Sequence, residues 1–229
     1  MRELLLIRHG QASFHADDYD QLSPVGERQS TLLGQWFAEC GAKPDLVAMG
    51  PRVRHRDTAL PCLQAAGVDA RPIVMPGLDE VDHVELLARV RPDLAAPGAL
   101  FAAMKREADP FRTFQQLFVD ALDRWSSGAH DADYTRSWAD FRRGVLDALQ
   151  QLNESKANTI WAFTSGGPIA VIASALLQAD PSHAFELSWS LVNTGVTRLR
   201  LGSRGPSLVT YNTWPHLERM RDDQLVTLR

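Results

Sequence analysis

Leu4-Leu5-Leu6-Ile7-Arg8-His9-Gly10 decides how this chain folds. Four apolar residues between Glu3 and Arg8 read as a short, buried strand of a parallel sheet. At its carboxyl end sit a guanidinium, an imidazole and a glycine. Open α/β sheets bind ligands beyond the carboxyl ends of their strands, so Arg8 and His9 fall where a site is expected. An imidazole is a competent nucleophile toward phosphorus, and a guanidinium offers paired donors to phosphate oxygens. Gly10 lets the backbone approach a neighbour closely. Taken alone, the same tripeptide also fits a solvated arginine beside a hydrogen-bonded core histidine.

Outward from this strand the pattern repeats. Residues 10–21 are polar and read as a loop. Ser23-Pro24 opens a helix, with serine as cap and proline at the first helical position. Leu32, Leu33, Trp36 and Phe37 give that helix an apolar face, and Cys40-Gly41 ends it. Leu46 to Met49 is a second strand. Arg54 to Ala66 is a helix closed by Gly67, with Pro61 awkwardly inside it. Arg71 to Met75 is a third strand. This alternation predicts a three-layer α/β fold, a mostly parallel sheet with helices on both faces.

From His83 to about Glu154 no strand is evident. Phe111 to Trp125 and Ser137 to Leu152 have helical period, the second with Trp138, Phe141, Val145, Leu149 and Leu152 on one stripe. Pro97, Gly98 and Gly128 punctuate the segment. It reads as a helical insertion within a single domain of residues 1–229, expected to cover the site and select the substrate. The aromatic residues Phe111, Phe114, Trp125 and Trp138 are expected in its core. Thr159 to Phe163 restores a strand, Gly166 to Leu177 a helix, and Val196 to Leu201 and Leu208 to Tyr211 two late strands.

Composition is that of an ordinary globular chain: 45% apolar and 23% charged over 229 residues, enough for a sizeable core. The net charge of −4 argues against a nucleic-acid partner. Cys40 and Cys62 are too few for a disulfide framework and are expected to be reduced thiols. No apolar run is long enough for a signal-peptide core or a membrane span, so the cytoplasm and no membrane partner are expected. There is neither a Walker A loop nor a GxGxxG.

Two more loops complete the chemistry. Gly50-Pro51-Arg52-Val53-Arg54-His55-Arg56-Asp57-Thr58-Ala59 follows the second strand and carries three arginines at alternate positions. Helix dipole and guanidinium charge both favour an anion there. Arg54 is the expected binder, and Arg52 and Arg56 are expected to be solvated. Leu78-Asp79-Glu80 follows the third strand, where a carboxyl group can act as general acid or pair with an arginine.

Together these loops resemble the histidine phosphatase superfamily, the phosphoglycerate-mutase-like proteins. That pattern begins with a strand and Arg-His-Gly, then Leu-Ser/Thr-x-x-Gly-x-x-Gln. Here these are Arg8-His9-Gly10 and Leu22-Ser23-Pro24-Val25-Gly26-Glu27-Arg28-Gln29. The next element, Ser-x-Leu-x-Arg-x-x-x-Thr-Ala, matches at Arg54, Thr58 and Ala59 and departs at Gly50 and Arg52. Leu78-Asp79-Glu80 matches the acid motif, and Asn212 with His216-Leu217 the closing element. The resemblance implies that His9 becomes phosphorylated, that Arg8 and Arg54 hold the phosphoryl oxygens, and that Glu80 protonates the leaving oxygen and then activates water. It implies hydrolysis of a small phosphorylated molecule with no cofactor, since arginines supply the positive charge. A mutase is less expected, because Glu80 is followed by Val81-Asp82-His83 where phosphoglycerate mutases resemble one another in Arg-His-Tyr.

One departure concerns the fourth strand. The pattern carries a second histidine there, in His-Gly-Gly. Here the strand ends Phe163-Thr164-Ser165-Gly166-Gly167. Ser165 and Gly166 can bind phosphate through a hydroxyl and a helix N-terminus, but a hydroxyl brings no imidazolium charge. The expectation is therefore a phosphatase of reduced activity, one that Ser165→His speeds up. His15, expected near the phosphate, His83 and His216 are the candidate substitutes. Two alternatives remain at this stage: a member that binds a phosphate ligand without turnover, or a serine esterase built on Ser165, Asp180 and His216, in which Phe163 misfits the nucleophile elbow.

Overall fold

The computed structural model describes residues 1–13, 20–96, 98–180 and 184–228, and the chain divides into two compact units, residues 1–80 with 144–229, and residues 81–143. His15 lies outside the described residues.

The first unit holds a six-stranded sheet in the order β3-β2-β4-β1-β5-β6. Its strands are β1 (Arg2–Arg8), β2 (Leu46–Met49), β3 (Ile73–Val74), β4 (Thr159–Thr164), β5 (Val196–Leu201) and β6 (Ser207–Thr213). β1 pairs with β4, β4 with β2 and β2 with β3, all parallel. β5 and β6 add antiparallel strands beyond β1. The register aligns Arg8 with Thr164 and Met49 with Phe163. Three strands therefore end level, and the loops after β1, β2 and β4 start side by side.

Helix α1 (Pro24–Glu39) begins as its sequence predicts: Ser23 Oγ accepts from the Gly26 N–H, and proline occupies the first turn. Helix α2 (Val53–Ala65) packs against it. On one face of the sheet Leu5, Ile7, Val47, Trp161 and Phe163 meet Leu33, Phe37, Ala59, Cys62 and Leu63 of these helices. Leu4, Leu6, Ile160 and Ala162 are as deeply buried and, by the pleat, face the other way. Helix α7 (Gly166–Leu176) is buried over its first nine residues and packs on β1 and β6. Pro61 does not end α2, since burial of Ala59, Cys62 and Leu63 on both sides of it holds the helix together. β3 is shorter than predicted. Its two residues are half-exposed at the sheet edge, where a strand has one neighbour.

The second unit is helical in its described residues: α3 (His83–Val90), α4 (Ala99–Met104), α5 (Pro110–Ser126) and the first residues of α6 (Trp138–Glu154). Its core gathers Trp125, Trp138 and Phe141 at ring separations of 5.4–6.2 Å, and the Trp125 indole N–H donates to the Arg136 carbonyl. α3 and α4 were not predicted as helices. Asp82 caps α3 by accepting from Val84 and Glu85. Residues 184–188 form α8 and 215–218 form α9. Among the described residues no helix is long and apolar enough to cross a membrane.

Candidate active site

The loop after β1 is held from several sides. The His9 N–H donates to Thr164 O (2.9 Å), and the Gly10 N–H donates to Thr58 Oγ1 (2.9 Å), which itself donates to Arg54 O. Asn193 Nδ2 donates to the His9 carbonyl (3.0 Å). Gly10 and Gly26 touch: a Cβ on Gly10 would meet the Gly26 carbonyl oxygen at 2.6 Å, and one on Gly26 would meet the Gln11 oxygen at 2.3 Å. The close approach expected of Gly10 is thus made to the first turn of α1. Gln29 accepts from the Gln11 N–H and donates to Leu225 O and Thr227 Oγ1. Gly26 and Gln29 of the second motif therefore shape the loop after β1 from behind.

His9 is 6% exposed. Its Nδ1 lies 2.7 Å from the Gly10 carbonyl. A carbonyl oxygen only accepts, so Nδ1 carries the proton and Nε2 keeps its lone pair. Burial, then the charges of Arg54 and Arg8 and the neighbouring His55, hold the His9 pKa well below the usual histidine value. The ring is therefore neutral at physiological pH.

Arg54 is 4% exposed, whereas the Arg52 and Arg56 side chains keep 30% and 52% of their exposure. Arg54 Nη1 pairs with Asp20 Oδ1 at 3.0 Å, and Asp20 Oδ2 accepts the Val53 N–H at the start of α2. Arg56 pairs with its neighbour Asp57 at the surface. Arg52 is not simply solvated. Its Nε donates to Asp79 (2.7 Å) and its Nη2 to the Glu80 carbonyl (3.2 Å). Asp79 also accepts the Glu80 N–H. Asp79 in this acidic loop thus pairs with an arginine, and Arg52 fixes the backbone that carries Glu80. The Glu80 Oε2 accepts from the Gly167 N–H (3.1 Å) in the first turn of α7. Arg8 donates to the carbonyls of Leu191 and Leu228.

Ser165 stands at the N-cap position of α7 without a side-chain cap bond, is fully buried, and lies with its Oγ 2.7 Å from His55 Nε2. His55 is itself fully buried, and its ring centroid is 6.0 Å from that of His9. The second imidazole near His9 thus comes from α2, one residue beyond Arg54. His55 was not among the histidines expected to substitute, because its position next to an arginine in a basic turn carries no signal of burial. The signal available was its place in the first turn of α2, beside the anion-binding arginine. His216 Nε2 meets Thr194 Oγ1 at 2.8 Å. Since that hydroxyl donates to Asn193 O, His216 donates to it and braces the turn beneath His9. The Ser165–Asp180–His216 order of an esterase is not assembled: the histidine that meets Ser165 is His55.

The profile of the histidine phosphatase superfamily (branch 1) matches residues 4–110 and 101–213. No curated protein sequence matches the chain. Among solved structures it is similar to a mutant phosphoserine phosphatase from Entamoeba histolytica in complex with phosphoserine. The identity is 24%, over 95% of this chain and 100% of that one, with a TM-score of 0.62. It is also similar to a mycobacterial glucosyl-3-phosphoglycerate phosphatase, at 20% identity over 93% of this chain and 99% of that one, with a TM-score of 0.60. These likenesses agree with the three-layer α/β fold.

Proposed function

The chain belongs to the histidine phosphatase superfamily, and from that premise we propose that it hydrolyses phosphomonoesters through a phosphohistidine on His9. The observation that carries this reading is the Nδ1 contact of His9 with the Gly10 carbonyl, which leaves a neutral ring with its Nε2 lone pair available. Nε2 attacks phosphorus while the bond from phosphorus to the leaving oxygen breaks. Arg8 and Arg54 bind the phosphoryl oxygens, and their charge grows in effect as charge develops on them. Glu80 gives its proton to the leaving oxygen. Its carboxylate then takes a proton from water, which attacks the phosphohistidine and returns neutral His9 and inorganic phosphate. The first turn of α7, with Gly166 behind Ser165, adds backbone donors to the anion.

The substrate class is a small phosphorylated molecule. Support for it is general: the solved neighbours are phosphatases of phosphoserine and of a glucosylated phosphoglycerate. The test is rapid quench with a labelled phosphomonoester. The wild-type protein is expected to trap acid-labile, base-stable phosphate, and His9→Ala to trap none. Label retained in His9→Ala, or no label in the wild type during turnover, would overturn the assignment.

A further inference from the structure

Two departures from the superfamily pattern, Gly50 after β2 and Ser165 after β4, lie 115 positions apart in the chain yet flank one side chain. His55 Nε2 is 2.7 Å from Ser165 Oγ. On its other side the ring lies against Gly50, where any Cβ would come within 2.3 Å of Nδ1, 2.4 Å of the Leu78 backbone oxygen and 2.6 Å of Cε1. A serine at 50 would have to displace both the ring and that backbone, and a histidine at 165 would collide with the ring. Gly50, His55 and Ser165 therefore form one mutually dependent arrangement: glycine makes the space, the imidazole fills it, and the hydroxyl receives it.

Building on the phosphatase reading above, we propose that His55 and Ser165 act as one unit in place of the pattern's second histidine, with His55 as the positioning residue that aims the Ser165 hydroxyl at the phosphoryl group on His9. The parallel register carries the geometry. Arg8 and Thr164 are paired, and the His9 N–H bonds Thr164 O, so His9 and Ser165 are the first residues to leave two adjacent strands. An anion at His9 selects the direction of the hydrogen bond. If Ser165 donated to His55, its lone pairs would face the anion. If His55 Nε2–H donates to Ser165, the hydroxyl proton is free to point at a phosphoryl oxygen. Nδ1 lies beside the Gly50 backbone without a completed hydrogen bond, so no fixed partner holds the proton there and the ring can carry it on Nε2. Burial, then the charge of Arg54, push the His55 pKa down to about 3 against a smaller opposing contribution from the Gly50 backbone, so the unit donates as a neutral pair. The catalytic contact is made by serine, and the imidazole acts through it.

The imidazole beside Ser165 reverses the expectation that Ser165→His alone speeds turnover. The slot is already occupied, and the single change should lower activity. The test compares Ser165→Ala, His55→Leu, His55→Gln, Ser165→His and the double variant His55→Ala/Ser165→His. Readouts are kcat and KM on p-nitrophenyl phosphate, orthovanadate affinity by calorimetry, and thermal melting. Ser165→Ala and His55→Leu are each expected to lower kcat roughly 100- to 1,000-fold, the scale of one preorganised donor, with little change in KM. Vanadate binding should weaken in parallel. Combining the two should cost little more than either, as for residues acting as one unit. His55→Gln, whose amide can still donate to Ser165, should retain most of kcat, and the double exchange should outperform Ser165→His.

If Ser165→Ala and His55→Leu keep wild-type kcat and vanadate affinity while only the melting temperature falls, the pair is a satisfied core contact and the proposal fails alone. If the wild-type protein neither turns over a phosphomonoester nor binds vanadate, the phosphatase reading falls with it.

Discussion

The exits of β1 and β4 are neighbours in the sheet, yet they carry their chemistry differently. At the β1 exit the reactive group belongs to the chain segment itself: His9 leaves the strand and is fixed by backbone and side-chain bonds from Gly10, Thr58 and Asn193. At the β4 exit the strand offers only a hydroxyl, and an imidazole reaches it from α2. The same exit also receives Glu80, through the first turn of α7. On the mechanism proposed above, the first exit supplies the nucleophile from its own sequence, and the second supplies a hydrogen-bond donor for the phosphoryl group and the general acid from three segments. A motif therefore reports a group well where the loop supplies it, and poorly where neighbours in space do.

The comparison can be broken most sharply at the two ends of the reaction. His9→Ala should reduce turnover to the uncatalysed background for every phosphomonoester, measured by steady-state phosphate release. Glu80→Gln should separate substrates by leaving group. Alkyl phosphates should slow by ~10²–10⁴, the usual contribution of a general acid, and p-nitrophenyl phosphate far less, because its leaving group needs little protonation. Equal slowing of both would move Glu80 from proton transfer to phosphate binding and erase the distinction between the two exits.

The next effect is smaller. Charged hydrogen bonds contribute about 1.5–3 kcal/mol, so Arg54→Ala should raise the Kd for phosphate or vanadate by roughly 10- to 150-fold. Arg56→Ala should leave it within about twofold. Calorimetry distinguishes these outcomes, and equal effects would mean that the basic turn acts through net charge alone.

The smallest effect sharpens the comparison through protons. His9, His55 and His216 all have depressed pKa values, the last two at about 3, burial being the first cause in each. In the unfolded chain they titrate near 6.5. Below that pH the unfolded state binds protons that the folded state refuses. Stability is therefore fully present above about pH 6.5 and falls as the pH drops, by up to about 1.4 kcal/mol per pH unit for each histidine. Urea unfolding between pH 7 and 5 should show this slope. It should become shallower by a similar amount in His9→Gln and in His55→Gln, if each exit holds one neutral buried imidazole.

Much of the fold was legible because local signals and tertiary demands agree. β2 and β5 run over the residues predicted, and Ser23-Pro24 begins α1 as a cap should. β3 shrank to Ile73–Val74 because an edge strand is shaped by one partner instead of by its own hydrophobicity. α3 escaped notice although Asp82 followed by Glu85 is a cap signal; eight residues are too few for periodicity to stand out. In the candidate site, the positions of His9, just after β1, and Arg54, in the first turn of α2, follow from the elements read in the sequence. Arg52 was misjudged as solvated because its partner Asp79 lies 27 positions away. His55 was invisible because its burial depends on Gly50 and Ser165 together.

The segment 225–228 lies far from the motifs in sequence but holds them in place. Gln29 binds Leu225 and Thr227, Asn193 binds both the Thr227 backbone and the His9 carbonyl, and Arg8 reaches the Leu228 carbonyl. The loop after β1 thus rests on a buttress that no motif announces. Loosening residues 225–228 would free the Arg8 guanidinium from one carbonyl partner, that of Leu228, so variants there should be read for local changes around His9 as well as for melting temperature.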